Sequence, residues 1–271
     1  MKKIVSLFIV LSLLLSINIV YAENKDISST VKYDIDDFSA YLVKHNDGKN
    51  TKALIEDYFK DKTNDDKNCD IKANSEDFSE TKIINGKKLK TSKVIKTVEI
   101  SDTQSITFYA NGYFGIGEKI VKEPDESLEV NILSSYYTEW AQYQYDAYNG
   151  AGVWMGATLV GQSFAFDGEF VGIDSEPTGS YSYNQVLYSL VSHDVWSTAE
   201  VGQIIYGYAT SYSEEIIKPR VSSDNYVIFA AVQASADGNW YGDGDVGIIE
   251  WWGISWLIAK KLQGAVSKVP K

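Results

Sequence analysis

Short runs of β-branched and aromatic residues, parted by Gly, Asn, Asp and Ser every ~8–12 residues, restrict this chain more than any other feature. Val94 to Ile100 and Ser105 to Tyr109 are such runs, and Asn111-Gly112 follows the second. That dipeptide tolerates the positive φ of a tight type I′ turn, so Tyr113 to Ile116 is expected to return as the second arm of a hairpin. Phe164 to Val171 reads as another hairpin around Asp167-Gly168. Gln203 to Tyr212 and Tyr226 to Ala234 add two strand-like runs, and Asp237-Gly238 adds a turn. No intervening helical stretch is long enough for parallel crossovers, so the expectation is a mainly β chain, an antiparallel sandwich or barrel. Gly247 to Leu262 fits both a helical and a two-residue period, and periodicity does not choose between them.

The first ninety residues differ in kind. Lys2 and Lys3 precede an apolar stretch from Ile4 to Val20, and Val20-Tyr21-Ala22 places small residues where a signal peptidase reads them. Residues 1–22 are therefore expected to be a cleaved leader, and the mature chain to be secreted. Residues 23–90 are rich in Lys, Asp, Asn and Ser. They are read as a polar lead-in with one helix over Thr51 to Lys60, capped by Thr51, and a linker over Asp61 to Ser79. Residues 91–271 form the expected β-rich aromatic domain. It holds all seven tryptophans, and thirteen of the nineteen tyrosines fall beyond residue 135.

Charge narrows the partners. Losing Lys2 and Lys3 with the leader moves the net charge from −12 to −14. So acidic a chain, without a basic stripe, excludes nucleic acid and long-range attraction to an anionic membrane. The single cysteine, Cys69, cannot staple a domain, and no residue pattern specifies an oligomeric state.

Two segments resemble exported proteins of clostridia and bacilli that have no assigned activity. One is Ile106 to Tyr113, similar to a TFY-x-NG hairpin; the other is Trp140 to Tyr148 followed by Ser163 to Gly168. The resemblance covers roughly residues 95 to 245. It implies an exported β domain and carries over no catalytic or binding residue.

Signals for chemistry are sparse. Ser192-His193-Asp194 sets hydroxyl, imidazole and carboxylate side by side, but neighbours on a strand point to opposite faces, so His193 reads as a polar surface residue. No zinc-binding pattern is present. Asp237, Asn239, Asp243 and Asp245, with Gly242 between them, partly match a calcium loop, although Tyr241 and Ile248 stand where ligands are needed. A Gly/Asp-rich turn explains the same residues. Glu139, Asp146, Asp167, Glu169, Asp174 and Glu176 offer carboxylates for glycoside hydrolysis, in a chain where carboxylates are abundant.

Aromatic side chains suggest a non-enzymatic role. Tyr143, Tyr145 and Tyr148, or Tyr181 and Tyr183, would stack on sugar rings if they faced solvent. The leading expectation is thus a binding protein for a cell-wall or host glycan. The alternative is membrane perturbation through Trp251, Trp252, Trp256, Lys260 and Lys261, which combine interfacial aromatics with positive charge.

Overall fold

A computed structural model describes residues 33–46, 50–62, 80–84, 87–120, 137–220 and 225–249. The leader, Cys69 and Trp251 to Lys261 lie outside these residues. Among the described residues two helices come first, α1 (Ile35–His45) and α2 (Thr51–Lys62). Fourteen strands follow: β1 (Glu80–Ile84), β2 (Lys87–Thr91), β3 (Val94–Glu99), β4 (Gln104–Tyr109), β5 (Phe114–Lys119), β6 (Tyr137–Tyr148), β7 (Trp154–Phe166), β8 (Val171–Ile173), β9 (Thr178–Tyr183), β10 (Tyr188–Ser197), β11 (Ile204–Ile205), β12 (Tyr208–Pro219), β13 (Asn225–Ser235) and β14 (Trp240–Ile249).

The strands form two antiparallel sheets, as the turn spacing leads one to expect. One runs β1-β2-β14-β13-β12-β10; the other runs β11-β8-β7-β6-β5-β4-β3, with β9 also paired to β7. Their facing sides share a core that includes Tyr145, Val160, Phe164, Ile228, Ala230, Val232 and Val246. Alternation along β4 sends Tyr109 into this core and Phe108 to the opposite side of the sheet, where the helices lie.

That second side explains the lead-in. Phe38, Leu42, Leu54, Ile55, Tyr58 and Phe59 of the helices are buried with Ile106, Phe108, Phe114, Ile116 and Tyr148 of the sheet. Among the described residues of 23–90 there are thus two helices where one was expected, and both build on the sheet. The strand β2 crosses position 90. The caps differ from expectation as well. Asp34 accepts from the backbone of Asp36 and Asp37 at 2.8 and 2.9 Å, starting α1. Asn50, not Thr51, caps α2 by accepting from the Lys52 backbone at 2.9 Å. Thr51 is released to donate to Gln104 Oε1 at 2.7 Å, across to β4.

The hairpin at Asn111-Gly112 forms, with a different turn. Gly112 N–H donates to Tyr109 O at 2.9 Å, and Tyr109 N–H donates to Tyr113 O at 2.9 Å. These bonds close a three-residue loop, Ala110 to Gly112, with Gly112 at φ 83°. A type I turn followed by a left-handed glycine has this pattern, so the loop is one residue longer than a type I′ connection.

Candidate cleft beside the helices

Beyond the helix contacts, the outer side of the β3–β6 sheet turns polar. Gln104 of β4 lies in register with Glu118 of β5, and Glu118 with Gln144 of β6, giving one rank of polar side chains across three strands. In the next rank Ile116 pairs with Asp146, and Tyr148 follows two residues on. The end of α1 (Asn46) and the start of α2 (Asn50, Thr51, Lys52) form the wall opposite, and Ser101 and Thr103 form the rim. Together they enclose an open cleft of about 740 Å³. Its lining is almost wholly amide, hydroxyl, carboxyl and ammonium groups, with Ile116 and Tyr148 the apolar exceptions.

Asp146 is the fixed point of this cleft. Its carboxylate accepts from Gln144 Nε2 at 2.6 Å and from Trp154 Nε1 at 2.9 Å. Burial pushes the carboxyl above the usual range, against the pull of these two donors and of the Lys52 charge. Lys52 itself stands over the Trp154 ring, 4.2 Å from the ring centre. Asp146, Trp154 and Lys52 thus brace one another, while Glu118 and Gln104 also line the space between.

Three of the five tyrosines expected to stack on a ligand are placed otherwise. Tyr143, Tyr145 and Tyr148 are buried. Tyr143 and Tyr145 cross the space between the sheets, and Tyr145 Oη lies 2.6 Å from Tyr109 Oη. Glycines on both sides make room for them. A Cβ on Gly117 or Gly242 would fall within 2 Å of Tyr143 atoms, and one on Gly115 or Gly244 within about 2.1 Å of Tyr145 atoms. Burial lifts the phenols of Tyr143 and Tyr145 above their ordinary range. Tyr148 serves the cleft from its floor. Tyr181 is exposed and Tyr183 half-buried on β9, the former with its ring 4.7 Å from His193.

The residues read as a calcium loop are drawn apart by the same packing. Gly242 and Gly244 belong to β14 and house tyrosine rings, so the segment is a strand and not a loop. Asp237 accepts from Ser235, from the Asn239 backbone and from the Asn239 amide, which closes the β13–β14 turn. Asp245 is buried and paired with Lys82, and Asp243 accepts from the Gly244 backbone at 2.8 Å. Among the described residues, no three His, Cys, Asp or Glu side chains gather as a metal site.

His193 lies only partly at the surface. Half-buried on β10, it has Nε2 2.9 Å from Ser213 Oγ, which in turn lies 2.8 Å from Thr158 Oγ1. Burial lowers its proton affinity. Glu139, Asp167, Glu169, Asp174 and Glu176 lie apart from the cleft; only Asp146 of the carboxylates singled out in the sequence lines it. Gln104, Glu118 and Gln144 were not legible as a set, since they come together only through strand register. Comparison with protein families, curated proteins and solved structures finds no match to this chain.

Proposed function

We propose that this is an exported binding protein that takes a polysaccharide, from the bacterial wall or a host, into the cleft beside the helices. The observation that carries the reading is the lining: side-chain donors and acceptors from three strands and two helix ends converge on one open space. A sugar presents hydroxyls on every side, and such a wall can answer several at once, with bridging water filling the gaps. The leader-like N-terminus and the resemblance to exported β proteins support its placement outside the cell.

The test is co-sedimentation of residues 23–271 with purified Gram-positive cell wall, with soluble glycan as competitor. The protein is expected to pellet and to be released by the competitor. Gln104→Ala and Glu118→Gln should each weaken binding about tenfold, the equivalent of about 1.4 kcal/mol. Glu118→Gln should leave the melting temperature in place, whereas Gln104→Ala should lower it, since the Thr51 hydroxyl loses its acceptor. Wall binding that is indifferent to both changes would remove the cleft from the account.

Asp146 and Glu118 give the same cleft two carboxyl groups, one with raised proton affinity, which is the equipment of a glycosidase. Both Asp146 oxygens already accept strong hydrogen bonds, which suits an anchor better than a proton donor. Prolonged incubation with wall glycan is therefore expected to release no reducing ends; their release, abolished by Glu118→Gln, would favour hydrolysis.

A further inference from the structure

One pole of the sandwich exposes apolar side chains that the core does not use. Tyr206 is 76 % exposed and Ile204 54 %, and Val201 and Tyr208 are also open. The Phe170 ring lies 4.5 Å from that of Tyr206. Register holds the group together. Ile204 and Ile205 pair with Gly172 and Val171 of β8, and Val201 bridges to Ile173. Exposed apolar groups gathered in this way mark interaction surfaces, whereas scattered ones need no explanation.

Carboxylates border this patch. Asp167 turns the chain into Phe170, accepting from the Phe170 backbone at 2.8 Å, and Glu169 stands between them. Glu200 shares a turn with Val201 and Gln203. The Asp237 turn is fastened to the same loop by a 2.9 Å bond from Gly168 N–H to Ala236 O. Hydrogen bonds hold the Asp167 and Asp237 carboxyls below the usual range, so both are ionised at neutral pH. For Asp167, Glu169 and Glu200 no compensating cation is near in sequence: from Glu123 to Ile217 the chain has fourteen acidic residues and neither lysine nor arginine.

We infer that this pole docks a cationic amphipathic peptide segment, whose apolar face covers Phe170, Ile204 and Tyr206 while its lysines or arginines meet Asp167, Glu169, Glu200 and Asp237. An apolar centre with a carboxylate rim is complementary to that partner, and the same rim repels a second copy of this acidic chain and an anionic bilayer. The inference stands apart from the cleft and does not depend on it.

The test uses the whole mature protein and a fluorescent, helical leucine–lysine peptide as probe, read by anisotropy. Saturable binding is expected, weakening as salt rises from about 0.05 to 0.5 M. Tyr206→Ser combined with Ile204→Ser should weaken it at least tenfold, because the apolar face is lost. Glu169→Lys combined with Glu200→Lys should do the same through charge, and both pairs are exposed enough to leave the melting temperature in place. Glu118→Gln should change nothing. The inference is overturned if a polar oligolysine of equal charge binds as tightly, if a leucine–glutamate peptide does, or if neither double variant weakens the complex. Tyr206-dependent binding to phosphatidylcholine vesicles with no peptide binding would equally overturn it, in favour of a membrane.

Discussion

Glu215 is costly to bury. It lies on β12, fully buried between the sheets, and neither carboxyl oxygen has a hydrogen-bond partner. A Cβ on Gly156 of β7 would stand 3.1 Å from Glu215 Oε2 and 2.9 Å from Ile228 Cδ1, so the surroundings are tight and partly apolar. Burial pushes the carboxyl up to about 8, from 4.5. The folded state therefore holds this proton more firmly than the unfolded chain does. Its stability contribution is intact below about 4.5 and is lost as pH climbs through 8. His193, directly opposite on β10, works the other way: its affinity is lowered, so its contribution is lost as pH falls through 6.5. Above 6.5 the decline belongs to Glu215. Urea unfolding at pH 6.5 and 9 is expected to show a loss of about 2 kcal/mol in the wild type, at roughly 1.4 kcal/mol per pH unit. Glu215→Gln should abolish most of that difference; a variant that keeps it would place the titrating group elsewhere.

Among the connecting elements, three hairpins use one device. Ala110-Asn111-Gly112, Gly150-Ala151-Gly152 and Ala236-Asp237-Gly238 each span three residues and end on a glycine, at φ 83°, 72° and 83°. Gly152 has a second duty, because a Cβ there would fall 2.3 Å from the Phe59 ring of α2. Gly168 has a φ of 95° and nothing within 4 Å of its Cβ position. Gly168→Ala should thus cost only the left-handed strain, about 1–2 kcal/mol. Gly152→Ala should cost about 3 kcal/mol or more, since Phe59 must also move. Equal losses in urea unfolding would show that the hairpin and α2 do not press on each other.

These elements also show where sequence reading stops. Local turn chemistry and β-rich runs identified the strands around Asn111-Gly112 and Asp167-Gly168, because those signals act within a few residues. The helix α1 carried a usable signal, Asp34 before Phe38 and Leu42 at helical spacing, which is easily lost in a polar stretch. The side of the sheet taken by Tyr143 and Tyr145 was not legible. It is decided by Gly115 and Gly117 on one strand and Gly242 and Gly244 on another, about a hundred residues away. The cleft was hidden for the same reason, since Gln104, Glu118 and Gln144 are neighbours through register and not through sequence.

At the scale of the whole molecule, β4 to β6 pack against the facing sheet on one side and are covered in part by the helices on the other. Phe38 shows what the helical layer supplies: it is fully buried, with Tyr33, Tyr58, Phe59, Phe108 and Phe114 rings 4.5–6.0 Å away. Tyr33 adds a hydrogen bond from its hydroxyl to Gly112 O at 3.0 Å, tying the start of this layer to the β4–β5 hairpin. Stripping the layer would expose Phe108, Phe114 and Tyr148 and remove the wall of the cleft that Asn46, Asn50, Thr51 and Lys52 form. Helices and sandwich should consequently unfold together. Phe38→Ala is expected to cost about 3–5 kcal/mol, and to shift the helical circular dichroism signal and the fluorescence of the strand tryptophans by the same amount. Coincident curves are the mark of one cooperative unit. If the helical signal melted first while tryptophan fluorescence held its midpoint, the helices would be an accessory to an independent sandwich. The cleft would then open under conditions that leave the sheets folded.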